Sequence, residues 1–472
     1  MPVLHVPNPF CDNVFRNLNR DIIHIHGSKI IKQKHTFATM DFISDLEWRG
    51  LLHGMVPDTE NYLKSGMATA YIGFDPTSDS LHIGSLSQII TLMRFQRAGH
   101  KPIVLVGGAT GMVGDPSGKS AERNLMDAET LKRNVEAVSQ QLKGFLNFKE
   151  GSNAALLLNN ADWMIKIPFI DFIRDTGKHL TVNYMMAKDS VKNRMEQGMS
   201  FTEFSYQLIQ AYDFLYLFQQ HQCALQIGGS DQWGNMTTGT ELIRRKLSKS
   251  AYALTTPLIT KQDGTKFGKT ESGTIWLDAG KTSPYKFYQY WLNSSDADAL
   301  KWIRYFTFLS PTEIESLEQQ HAQQPALRPI QKALAKEVTL LVHGPNAYEQ
   351  AQKASEVLFT NDWSVLETFD EALFLSLFEG LPQAEISEAR FENLDVITLL
   401  TEATALMPGK NKVRQLIQGG GLRLNKHKIA ADSFRVSEAG RIRKQYLIFQ
   451  KGKKEFLLCK ISENGPSAES TT

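Results

Sequence analysis

Residues 68–85 read ATAYIGFDPTSDSLHIGS. The apolar run ATAYIGF breaks at Asp75-Pro76, and a short polar turn leads into His82-Ile83-Gly84-Ser85 and the helical pattern behind it. Strand, turn and helix in that order form the repeating unit of a parallel sheet. Three more apolar runs end the same way, in glycine or small polar residues: PIVLVGGATG (102–111), ALLLNNADW (155–163) and ALQIGGSDQW (224–233). Such strands are buried on both faces, and ligands gather outside their carboxyl ends. At the helix start after the first run, unpaired N–H groups and the helix dipole favour an anion. Gly84 leaves room there for a purine or ribose. Taken alone, the HIG tripeptide reads first as a turn with a capped helix.

The 472 residues, 42% apolar and 22% charged, have the composition of a soluble protein with room for several domains. Cys11, Cys223 and Cys459 stand apart, which argues against a disulfide framework or a structural zinc site. No apolar run approaches bilayer length, so no membrane partner is expected. Charge is divided unevenly. Between 410 and 460 there are 14 Lys/Arg against 3 Asp/Glu, a surplus of +11 in a chain of net charge +2, so the remainder carries −9. A basic segment on an acidic body usually serves a polyanion.

Residues 1–40 show no periodicity and are left unassigned. Their basic excess permits a targeting extension ahead of a second start at Met40, without forming a clean transit signal. Residues 41–283 read as an α/β catalytic domain with a doubly wound, parallel Rossmann-like sheet. Over 284–388, PYKFYQYWLN and LRPIQKALAKEVTLLVHG read as amphipathic helices, giving a helical domain that runs into a linker near Glu385–Asp395. Residues 389–463 read as a small basic α+β module. It has a helix through Gln418, a glycine turn at 419–421, and short strands around Leu422–Asn425 and Tyr446–Lys460. Residues 464–472 read as a disordered tail.

GGATGMVGDPSGKS (107–120) imitates a phosphate-binding P-loop, but only three residues separate Gly114 from Gly118 where that loop needs four. KFGKT (266–270) sets two lysines around a Phe-Gly pair, where movable ammonium groups could neutralise developing pyrophosphate; a solvated surface loop is the plainer alternative. In FTEFSYQLIQAYDF (201–214), Tyr206, Gln210 and Asp213 fall at i, i+4 and i+7, a polar stripe among apolar neighbours. A phenol, an amide and a carboxylate facing one hollow could bind an amino acid, whereas a stripe facing solvent would do nothing.

Together, H-I-G-S after the first strand and K-F-G-K-T about 180 residues later resemble the HIGH and KMSKS signatures of class I aminoacyl-tRNA synthetases. FTEFSYQLIQAYDF and GGSDQWGN (228–235) resemble the bacterial-type tyrosyl-tRNA synthetases, and the likeness runs from about Asp41 to Lys460. The resemblance implies tyrosine activation by ATP and transfer to tRNA(Tyr), with Mg2+ accompanying ATP, no protein metal site and no prosthetic group. It assigns Thr77, His82, Lys119, Arg123, Lys266 and Lys269 to catalysis. Tyr71, Asp115, Tyr206, Gln210, Asp213 and Gln232 would hold tyrosine. Gly73, Asp75, His82, Gly84, Ser85, Gly229, Asp231 and Lys269 would border ATP. Ser85 departs from the usual histidine, so its contact is expected to be reduced or water-mediated. In Gly107, Gly108 and Gly111 the glycines are expected to let the chain turn tightly above the sheet edge.

NKVRQLIQGGGLRLNKHKI (411–429) resembles a small RNA-binding module of ribosomal and tRNA-handling proteins, with Lys412, Arg414, Arg423, Lys426 and Lys428 as phosphate contacts. A homodimer is implied, with the 284–388 helices on the anticodon side. A bacterial cytoplasm is expected, or an organelle if residues 1–40 are a transit peptide. Two rivals stay open: the related tryptophanyl enzymes, and an RNA-binding protein without chemistry on the same scaffold, such as a splicing factor. Tyr206, Gln210 and Asp213 speak against the first, and retention of the six catalytic positions speaks against the second.

Overall fold

The computed structural model describes residues 40–117, 126–195, 198–262, 264, 267–270, 273–357, 363–379, 381–392, 394–452 and 455–463. The described residues fall into two compact units, bounded as Met1–Lys281 with Ser294–Leu334, and Thr282–Asn293 with Ala335–Thr472. The expected stretches 1–40 and 464–472 lie outside the described residues, Met40 apart.

In the first unit the described strands are β1 (Gly54–Met55), β2 (Thr69–Phe74), β3 (Lys101–Val106), β4 (Leu156–Asn159), β5 (Leu225–Gly229) and β6 (Tyr252–Thr256), with a small hairpin of β7 (Lys269–Thr270) and β8 (Gly273–Thr274). The larger sheet runs β1-β6-β5-β2-β3-β4, parallel except for the antiparallel edge pair β1–β6. Ala70, Ile72 and Phe74 of β2 and Ile103 to Val106 of β3 are buried, as central strands covered on both faces require. From β2 the chain winds outward through β3 and β4, then returns to β5 on the other side of β2. The carboxyl ends of β2 and β5 therefore flank the switch point where such sheets bind ligands.

The four expected strands are β2 to β5. Sequence reading passed over β6, which ends in threonine and proline rather than glycine, and β1, too short to show a period.

Residues 294–334 correct the expected domain plan, because they belong to the first unit. The end of the helix Asp296–Phe306 is tied down by buried arginines. Arg49 donates to the carbonyls of Arg304 (3.0 Å) and Leu309 (2.8 Å), and Arg94 to that of Thr307 (2.5 Å). Asp45 bridges the two guanidiniums at 2.7 and 2.9 Å. Burial and the neighbouring Arg49 lower the Arg94 pKa to about 9, and Asp45 works against that fall. These partners lie between 213 and 260 residues apart in sequence, and no local pattern announces them.

The second unit is built on a sheet of order β11-β10-β12-β13-β9, from β9 (Gln383–Ser387), β10 (Leu422–Leu424), β11 (His427–Lys428), β12 (Tyr446–Lys451) and β13 (Glu455–Ser462). Leu447 and Phe449 face a core with Val413, Ile417 and Leu422, while Tyr446 and Ile448 face another with Trp363, Phe374 and Phe378. With both faces covered, alternation disappears, so YLIF of β12 and FLLC of β13 each read as a continuous apolar run. The expected linker near Glu385–Asp395 is instead β9, paired in parallel with β13, and the short helix Glu388–Phe391. Only Ile386 of this edge strand is buried, so its sequence carries little strand signal.

Candidate active site

The switch point opens into a cavity of about 400 Å³. Tyr71, Gly73, Asp75, Thr77, His82, Gly84 and Ser85 reach it from β2 and the turn beyond, and Asp115 from the loop after β3. Tyr206, Gln210 and Asp213 enter from the helix Phe201–His221, and Gly229, Asp231 and Gln232 from the end of β5. The i, i+4, i+7 stripe therefore faces a hollow rather than solvent. Lys119, Arg123 and Lys266 lie outside the described residues, and of Lys269 only the backbone, in β7, is described.

Asp213 lies at the deep end, 1% exposed. Asn160 Nδ2 donates to its Oδ2 at 2.9 Å and Trp163 Nε1 to its Oδ1 at 2.8 Å. Burial pushes its pKa up to about 7, the Asn160 and Trp163 donors pull it back, and the Asp75 charge adds to the rise. Tyr71 is equally buried, and its hydroxyl has no hydrogen-bond partner among the described residues. Burial, with the Asp213 charge second, holds that phenol well above its ordinary pKa and hence neutral. A buried polar group without a partner costs free energy that an incoming polar group can recover.

Hydrogen bonds connect the wall from one end to the other. The Tyr206 hydroxyl donates to Asp75 Oδ2 (2.9 Å), the Thr110 hydroxyl to Asp75 Oδ1 (2.7 Å), and Asn160 Nδ2 to Thr110 Oγ1 (3.1 Å). Asp75 thus bonds into the wall rather than only bordering a nucleotide. A Cβ at Gly107 would stand 2.1 Å from Asp75 Oδ1 and 2.3 Å from Thr110 Oγ1. The chain does turn tightly here, Gly108 N donating to the Val106 carbonyl at 3.0 Å and Gly111 N to that of Gly107 at 2.7 Å, but Gly107, Gly108 and Gly111 are absent from the left-handed region, and what Gly107 adds is room for a carboxylate.

Nearer the mouth, Gln232 Nε2 donates to Asp115 Oδ2 at 2.7 Å, and Asn235 Nδ2 to Ser117 Oγ at 3.2 Å. His82 caps the helix Ile83–Arg97, its Nδ1 accepting from the Gly84 amide at 3.0 Å. Sequence reasoning missed Thr110, Asn160, Trp163, Gln226 and Asn235. Asn160 and Trp163 stand just past the carboxyl end of β4, and that position was the available signal.

The second unit carries the basic face. Lys412, Arg414, Arg423 and Lys428 are exposed. Arg423 and Lys428 are cross-strand partners in β10–β11, so two cations stand opposite each other. Like charges so placed repel unless an anion lies between them. Two of the expected contacts also have protein partners: Arg414 lies 3.7 Å from Asp432, and the Lys426 ammonium sits 4.6 Å over the Trp363 ring. Burial, then the Arg423 charge, lowers the Lys426 pKa.

The chain resembles known proteins over most of its length. Residues 64–360 match the family described as tRNA synthetases class I (W and Y), and residues 374–459 match the Tyrosine--tRNA ligase SYY-like C-terminal domain. The chain is 54% identical over 426 residues to the tyrosine--tRNA ligase of Porphyromonas gingivalis, covering 89% of this chain and 99% of that one. It is 53% identical over 430 residues to that of Cytophaga hutchinsonii, covering 89% and 100%. The crystal structure of a C-terminally truncated mitochondrial tyrosyl-tRNA synthetase from Aspergillus nidulans aligns with a TM-score of 0.61 and 32% identity over 68% of this chain and 94% of that one. On both matched segments and near full-length identity, the chain belongs to the tyrosine--tRNA ligase family of class I tRNA synthetases.

Proposed function

We propose that this chain charges tRNA with tyrosine in two steps at the β2–β5 cavity. The observation that carries the reading is Asp213, buried and held by Asn160 and Trp163 beside the unpartnered Tyr71 hydroxyl. A substrate phenol would donate to Asp213 and accept from Tyr71. Phenylalanine would leave both groups unanswered. Tyr206, Gln210 and Asp115 would receive the α-ammonium, and Gln232 would orient the carboxylate. That carboxylate attacks the α-phosphorus of ATP, the bond to the bridging oxygen breaks, and pyrophosphate leaves. Thr77, His82, Lys119, Arg123, Lys266 and Lys269 would stabilise the charge gathering on it, with Mg2+ on the phosphates and no covalent enzyme intermediate. Gly73, Gly84, Ser85, Gly229 and Asp231 would border the nucleotide. The terminal ribose hydroxyl of tRNA then attacks the acyl carbon and AMP departs.

Lys412, Arg414, Arg423, Lys426 and Lys428 would hold tRNA phosphates. A homodimer is supported by the apolar surface of Ile165, Phe169, Ile170 and Val182, each more than half exposed. Among the described residues no helix is long and apolar enough to cross a membrane. The curated relatives named above are bacterial, and a bacterial cytoplasm is the proposed location. Pyrophosphate exchange into ATP that depends on tyrosine and not on tryptophan or phenylalanine is the expected result. Exchange with tryptophan, or none with tyrosine, would overturn the reading.

A further inference from the structure

The stripe of Tyr206, Gln210 and Asp213 extends one step further back, to Glu203, which the proposed chemistry does not use. The four stand at i, i+3, i+7 and i+10 of the helix Phe201–His221, on one face of it. Tyr206, Gln210 and Asp213 line the cavity, and Glu203 is not among its lining residues. Glu203 is 3% exposed, and its carboxylate meets Arg194 side-on: Nε donates to Oε1 at 2.7 Å and Nη2 to Oε2 at 2.8 Å. Arg194 is equally buried and comes from the last turn of the preceding helix, Asp189–Met195. The Glu203 amide donates to Ser200 Oγ at 3.1 Å, so the same residue also closes the helix cap. At the other end of the stripe, Asp213 is fixed by Asn160 and Trp163. About 15 Å of helix separates the two anchors. Between them lie Tyr206, whose hydroxyl donates to Asp75, and Gln210, whose buried Oε1 has no hydrogen-bond partner among the described residues.

We propose that Glu203, paired with Arg194, is a positioning residue for the substrate ammonium: the pair fixes the rotation of the helix Phe201–His221 at the level of Tyr206 and Gln210. This rests on the reading that those two side chains receive the α-ammonium of tyrosine. A buried ion pair returns little net stability, because taking two charges out of water offsets their attraction, and fixing a register is its best-attested use. The apolar faces of the helix pack without directional preference. A guanidinium fork on both carboxylate oxygens fixes direction as well as distance. A pair that served only the fold would be replaceable by two apolar side chains of similar volume.

Equilibrium titration of the full chain with tyrosine, tyramine and 3-(4-hydroxyphenyl)propionate reads the contact directly, since the first two carry the ammonium and the third has only phenol and carboxylate. Wild-type protein that binds tyrosine no more tightly than the propionate would defeat the ammonium reading itself, whatever the variants do. With that preference present, Glu203→Gln and the double variant Arg194→Met/Glu203→Leu should each weaken tyrosine and tyramine roughly 5- to 20-fold and leave the propionate within about twofold. Glu203→Gln strands a buried guanidinium and should melt lower. The double variant buries no charge and should melt close to wild type, which separates position from stability. Tyrosine affinity within about twofold of wild type in the double variant, equal losses for all three ligands, or failure of the double variant to fold would each assign the pair to the fold and overturn the proposal.

Discussion

In the first unit the decisive charges are carboxylates withdrawn from water and bonded to neighbours: the buried Asp213 to Asn160 and Trp163, the half-buried Asp75 to Tyr206 and Thr110. In the second they are cations, mostly exposed, two of them directly opposed across β10 and β11. Desolvation makes each carboxylate expensive to leave unpaired, so its geometry is over-determined. The basic face remains in water, where repulsion is cheap and a polyanion can relieve it. The two regions therefore differ in what a mutation should do. In the cavity, one lost atom propagates along a chain of hydrogen bonds. On the basic face, losses should add.

The largest expected effect is at the deep end. Asp213→Ala leaves two buried donors without an acceptor and removes the partner of the substrate phenol; at roughly 1.5–3 kcal/mol per charged hydrogen bond, kcat/KM for tyrosine should fall roughly 10- to 100-fold. Exchange kinetics at saturating ATP would show it, and retention of activity would break the contrast. Gly107→Ala comes next: a methyl group 2.1 Å from Asp75 Oδ1 should displace the Asp75–Thr110 pair and cost roughly 1–3 kcal/mol in stability, with a parallel loss of tyrosine affinity. Calorimetry and tyrosine titration read the two together.

Asp213 also makes stability pH-dependent in an identifiable direction. Its folded pKa is raised to about 7 from 3.8, so between those values the folded state holds a proton the unfolded chain has released. The contribution of this group to stability is complete below pH 4, declines as pH rises, and levels off above 7. Asp213→Asn lacks that proton exchange. Its melting temperature relative to wild type should therefore climb from pH 4 to 7, and a constant offset would show that the carboxyl titrates elsewhere.

On the basic face, Arg423→Ala and Lys428→Ala should each weaken tRNA binding and shallow its salt dependence by about one unit of log–log slope, with exchange kinetics unchanged. The smallest effect has the opposite sign. Lys428→Ala should stabilise the second unit by about 0.2–1 kcal/mol by relieving its repulsion with Arg423, and denaturant titration of the tRNA-free protein would detect it. A destabilised variant would mean that the cation serves the fold rather than RNA.

The readable parts of the molecule were those where neighbours in sequence share a job. Four strands showed as apolar runs ending in glycine or small residues, and the stripe Tyr206, Gln210, Asp213 showed because one helix carries it. What escaped is held by distant partners. Asn160 and Trp163 matter only because β4 lies on the far side of β3 and delivers them to Asp213. Residues 294–334 look like any amphipathic helices until Arg49 and Arg94 are seen on their carbonyls. β9 is an edge strand with a single buried side chain, too little to set a period.

At His82 one imidazole ring performs two tasks. Because Nδ1 accepts the Gly84 amide, the neutral ring must carry its hydrogen on Nε2, so the first turn of the helix selects the tautomer. The residue meets the cavity as a donor, not as a base. A doubly protonated ring could not accept there, so the cap and a charged imidazole exclude each other. Asparagine can divide the same labour, its carbonyl capping while its amide donates, whereas lysine brings charge but no acceptor.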